Sequence, residues 1–319
     1  GHIQLHGGRS HSLYRGARGG NIELIGGDAA ANSGGDIILR SGWSSDSSSG
    51  GLWAGTGNAG RSGVSGDIRL SSGTASGGNS GSIFIGSSNS FNGAAGDITL
   101  QVGNNNYGNG GNINIFGGST TDGGSTGGKI RIRGGLGLDT SSVDGGNGGD
   151  VEIKGGDAEG EDEDDDAGNV ELFGGASFAG QGGSVSISTG KSFSKSSGSI
   201  TIFTTNSGNL GASGTINVAT GSASLGDSGS VLLSTGRAVT GEAGSIEVIV
   251  GDGSTGVGGP VFINAGGTTA MEAGGKVDIL SVTGEKASGA VNVQTADAGG
   301  DGASGPVTIS TGTVGRGYS

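Results

Sequence analysis

Apolar residues return along this chain in pairs separated by one other residue, and a glycine opens each pair. The stretch Gly214–Gly229, GTINVATGSASLGDSG, shows the unit: Ile216 and Val218 two apart, then Thr220, then a run of Gly, Ser and Ala. As a rule it reads G-x-Φ-x-Φ-x-[ST/G]-G, followed by small or polar residues. Anchor glycines from Gly1, Gly20 and Gly35 to Gly275, Gly289 and Gly305 mark twenty such units, mostly 14–16 residues long. Gly51 opens the poor copy, with Trp53 at the first apolar site and Gly55 at the second; elsewhere both sites are Ile, Leu or Val.

A spacing of two places both apolar side chains on one face of an extended segment. Ile and Val favour strands, and the Gly, Ser, Asn and Asp that follow favour loops. No window has a 3.6-residue apolar period, so helix is not expected. One short strand with one apolar face is not stable alone, so the units are expected to stack. The predicted fold is all-β: a parallel β-solenoid (β-helix) of about 20 strand-loop units of about 15 residues, forming one continuous body over residues 1–319.

Unit similarity bears on coil size. GNIELIGG from Gly20, GNINIFGG from Gly111 and GNVELFGG from Gly168 are units two, eight and eleven, separated by multiples of three. Pro260 and Pro306 follow the anchor in units seventeen and twenty. This favours three strands per coil of about 46 residues, with Ile22, Ile68 and Ile113 stacked inside; two strands per coil is the alternative. Proline lacks the N–H of a central ladder, so that site reads as a corner. The outward column Ile38, Phe84, Arg131, Ser186, Leu232, Asp278 carries three apolar residues where a solvated face would be polar. Ile38, Phe84 and Leu232 are therefore a candidate assembly face, set against the ordinary scatter of surface apolars.

Composition narrows the classes. Glycine is 80 of 319 residues, with only two prolines and no G-x-y period, which excludes collagen. The formal charge of −13 disfavours nucleic acid. No apolar run approaches the roughly 20 residues of a membrane span. There is no cysteine and no Asn-x-Ser/Thr sequon.

The long units are consecutive: enlarged loops lie within 111–168. They hold Asp157, Glu159, Glu161, Asp162, Glu163, Asp164, Asp165 and Asp166. This run is a candidate weak cation site, with Ca²⁺ as the only candidate cofactor, because Ca²⁺ takes several carboxylate oxygens. A self-repelling solvated loop is the competing reading. The first unit carries His2, His6, Arg9, His11, Arg15 and Arg18 and no acid. No catalytic residues are assigned: all three histidines lie in that unit, no Ser sits in a nucleophile elbow, and the outward acids are mostly isolated. With this much glycine, G-x-G-x-x-G matches carry no weight, and no helix follows to hold a phosphate. An ice-binding face would need a regular Thr array, but the column holding Thr99 and Thr201 is broken by Glu152 and Glu247.

GGSVSISTG from Gly182, SGSVLLSTG from Ser228 and SGPVTISTG from Ser304 share one pattern. They resemble the Gly/Ser-rich repeats of large secreted surface proteins of algae and other protists, of the flagellar-hair, adhesive and cell-covering type. Bacterial filamentous adhesins are similar in architecture. The resemblance implies an extracellular fibre or coat role without catalytic residues. The expected function is therefore a structural building block at the cell surface. Self-association would be end to end by β-stacking, because the first and last units look like ordinary repeats, not caps. Other filament subunits or glycans are further candidate partners. An adhesin or carbohydrate-binding surface is the alternative, with ice binding behind it.

Overall fold

The computed structural model describes residues 2–11, 14, 17–300 and 302–312. Among the described residues there is no helix and no strand. The all-β parallel solenoid, or β-helix, is thereby overturned, and with it both the three-strand and the two-strand coil. The chain divides into two units, Gly1–Val170 and Glu171–Ser319.

Each unit repeats one local plan: an extended arm followed by a loop that bends once. In the first unit bends or turns recur at 30–32, 45–47, 61–62, 76–78 and 91–93; in the second they recur at 178–180, 193–195, 209–211, 224–226 and 239–241. Every one of these falls between two successive arms, so the sequence period is also the period of the backbone. Several bends close on a glycine with positive φ, among them Gly226 at 112° and Gly241 at 129°. Side chains avoid that region, which is why glycine stands there.

About half of the loops are shut at the base by a backbone hydrogen bond. The N–H of Gly35 donates to the carbonyl of Gly27 at 2.8 Å, that of Gly128 to Gly118 at 2.8 Å, and that of Gly168 to Gly156 at 2.9 Å. In the second unit Gly183 donates to Gly175 at 2.8 Å and Gly275 to Gly266 at 2.8 Å. Each bond joins an anchor glycine to the glycine that ends the preceding arm. The loop between them is a small Ω-loop, compact and with its ends together. A Cβ on Gly26 would overlap the carbonyl oxygen of Gly35, and one on Gly174 that of Gly183. In these doubled glycines it is the first that has no room for a side chain; a Cβ on the second, as at Gly27 or Gly175, meets nothing within 4 Å, and the necks at Gly50 and Gly275 close with Ser41 and Ala265 in the first position. Where Thr or Val takes the neck position, its side chain lies under the anchor instead: a Cβ on Gly214 would sit 3.2 Å from Thr204 Cγ2, and one on Gly259 2.9 Å from Val250 Cγ1.

Where they form, these necks compete with a coil; the anchors Gly66, Gly81, Gly96, Gly111, Gly214, Gly229, Gly244, Gly259 and Gly305 make no such bond. At a closed neck the anchor N–H that would open a ladder is spent on a carbonyl of the repeat just before it. Closing the neck from Gly175 to Gly183 spans a separation of eight residues. Closing a coil of about 46 residues costs about 1.5 kcal/mol more loop entropy, before any backbone is ordered. The apolar pairs consequently gain no interior, and among the described residues no side chain is buried. Ile22, Ile68 and Ile113 are all exposed and form no inner stack. The accessible surface is 32,503 Å², nearly three times the ~11,700 Å² that folded monomers of this mass present.

Candidate assembly surface and loop sites

The arms keep the alternation that the sequence predicts, even without a ladder. Asp67 and Arg69 pair at 2.8 Å across Ile68, and Lys276 and Asp278 pair at 2.6 Å across Val277. The Ser245 hydroxyl reaches Glu247 at 3.3 Å across Ile246. Polar side chains thus meet on one face of the arm while the apolar residue between them takes the other. The exposures follow suit: Ile37 is 52% exposed and Leu39 63%, with Ile38 between them at 74%. Most arms therefore present two aliphatic side chains together, the first about half exposed and the second more so.

Phe84 and Leu232 resemble Ile38: each is more exposed than the aliphatic residue on either side of it. Ile38 and Phe84 lie in the first unit and Leu232 in the second. The column that would have joined all three came from the coil, and it falls with the coil. What repeats instead is the apolar pair of every arm but the poor copy at Gly51.

The acidic loop is a closed one. Its neck is the Gly168–Gly156 bond, and it turns at 162–164. Inside, the N–H of Asp165 donates to the Asp162 carbonyl and the N–H of Asp164 to Asp162 Oδ1, each at 3.1 Å. Lys154 Nζ pairs with Asp157 Oδ2 at 2.6 Å beside the neck. Among the described residues no three acidic or histidine side chains gather as a metal-binding group, so Asp157, Glu159, Glu161, Asp162, Glu163, Asp164, Asp165 and Asp166 share one loop without converging on one point. In the first repeat His2, His6, Arg9, His11 and Arg18 are exposed, while Arg15 lies outside the described residues, as do Gly1 and the final stretch to Ser319. His6 Nε2 contacts Gln4 Oε1 at 3.2 Å.

One loop has a side chain at its centre that the sequence reading passed over. Asn105 Nδ2 donates to the carbonyls of Tyr107, Gly108 and Asn109 at 2.6, 2.9 and 3.4 Å. The amide holds the loop over an open hollow of about 340 Å³ lined by Val102, Gly103, Asn104, Gly110 and Gly111. Gly108, at φ 75°, makes the return. The available signal was the run NNNYGNGG, which offers an Asn side chain just before glycines that tolerate a turn. The doubled glycines at 26–27, 117–118, 155–156 and 174–175 were likewise legible, but as loop composition and not as necks.

Among the described residues no helix is long and apolar enough to cross a membrane. Compared with protein-family models, curated proteins and solved structures, the chain matches none.

Proposed function

We propose that this chain is a structural building block of an extracellular filament or surface coat that works by associating with copies of itself. One observation carries the reading: every repeat but the poor copy brings an aliphatic pair to one face of an extended arm, and the single chain leaves about half or more of it exposed. Apolar patches of this extent mark association surfaces. Exposed arms also carry backbone N–H and C=O groups that another chain can pair. A stable contact needs about 1,200–2,000 Å², a small part of the surface in excess of a folded monomer. The Gly/Ser-rich repeats quoted above support the extracellular setting by resemblance. In this role the protein acts mechanically and without catalysis: closed loops space the arms, and the arms supply the adhesive face.

The test is the particle size of purified protein across a concentration series, by light scattering and electron microscopy. Growth from single chains to elongated particles, with loss of dye binding to apolar surface, is the expected course. Single chains that persist to millimolar concentration would overturn the proposal.

A further inference from the structure

We infer that the partner at this surface is a second copy displaced along the chain, so that the acidic loop 157–166 of one copy lies beside the first repeat of the next. The inference rests on the self-association reading above and adds its register. Three observations lead to it.

The first is that the apolar pairs are nearly interchangeable. Displacing one copy against another by any whole number of repeats still sets Ile, Leu or Val against Ile, Leu or Val almost everywhere. Apolar contact is non-directional, so it holds the copies together without choosing a register.

The second is that loop length does not disturb the match. The neck bond is 2.8 Å where the loop runs from Gly175 to Gly183 and 2.9 Å where it runs from Gly135 to Gly149. The enlarged loop therefore closes its neck as the short one does, and its extra residues lie between the two glycines of the neck.

The third is charge, which is not periodic. Eight carboxylates lie within ten residues at 157–166, with Lys154 as the cation paired at their edge. The stretch from Gly1 to Ile22 has three arginines, three histidines and no carboxylate. With zero displacement, eight carboxylates face eight. With the acidic loop beside the first repeat, Arg9 and Arg18 face it in place of its own copy. Both features belong to the unit Gly1–Val170, in its first repeat and its tenth. Like charges set against each other exclude a register as effectively as opposite charges favour one. The contact joins two different patches, so each copy keeps one of each for another neighbour. Such a heterologous contact, unless the rotation closes a ring, grows into an open filament.

The chain has no cysteine, so cysteines placed one at a time report register directly. His6→Cys and Ala158→Cys are both at exposed positions and leave every arginine and carboxylate in place. The two variants are mixed, brought to the concentration at which particles form, and treated with oxidised glutathione. The expected product is the mixed dimer, in at least fivefold excess over the Ala158→Cys homodimer, and the excess should fall in 1 M NaCl as screening shortens to about 3 Å. Particles that form normally while homodimers match or exceed the mixed product would overturn the displaced register and leave self-association standing. Absence of particles at any salt would overturn both.

Discussion

Replacing Gly174 by alanine tests the loop neck at one atom. The new methyl would occupy the place of the Gly183 carbonyl oxygen. That carbonyl cannot move aside freely, because the N–H of Gly183 is held to the carbonyl of Gly175 at 2.8 Å. Relief requires the neck to open and the bond to be given up. A bond of this kind contributes about 1 kcal/mol net. At tenfold per 1.4 kcal/mol, the open neck becomes roughly fivefold more populated. The assay is amide hydrogen exchange at Gly183, read by mass spectrometry at a concentration where light scattering reports single chains. Exchange should quicken about fivefold, and proteolysis within 176–182 should quicken with it. Gly190→Ala is the control, because a Cβ there meets nothing within 4 Å and its neck bond to Gly198 is already long at 3.4 Å. Alanine at such a site narrows the unfolded ensemble and stabilises by about 0.4–1 kcal/mol, so exchange at Gly198 should hold or slow. Unchanged exchange at Gly183 in Gly174→Ala, or equal acceleration by both variants, would refute the neck as a steric device.

Three further outcomes are expected. Asn105→Ala removes the donor shared by the carbonyls of residues 107–109, and cleavage after Tyr107 by chymotrypsin should rise several-fold; Asn105→Asp, which accepts but does not donate, should behave like alanine and not like the parent. Ile216→Asp should leave the single chain's sedimentation unchanged, because Ile216 is 52% exposed there, yet raise the concentration needed for assembly at least fivefold, since covering the rest of such a side chain contributes about 1 kcal/mol; Asn217→Asp should leave that concentration nearly unchanged. Lys154→Ala should change exchange at Gly168 by less than a factor of about two: its ion pair with Asp157 joins two largely exposed side chains, and such pairs contribute only a few tenths of a kcal/mol.

The repeat was legible in the sequence because it rests on local chemistry. A spacing of two between Ile216 and Val218 makes an extended arm, and Gly226 answers a bend that demands positive φ. Neither depends on anything distant in the chain, so the period of residues became the period of the backbone. The sequence also marked the acidic loop and the basic first repeat, since charge needs no fold to be counted. It did not say where the backbone hydrogen bonds would go. An anchor N–H such as that of Gly183 can serve a ladder with another arm or the neck of its own loop, and the apolar pattern is identical in both cases. The nearer carbonyl prevailed at this loop because Gly174, lacking a side chain, lets the two backbones touch, and because closing over a separation of eight residues costs less entropy than a coil of 46. That choice belongs to the tertiary structure, and it leaves the aliphatic face of each arm outside the protein's own interior.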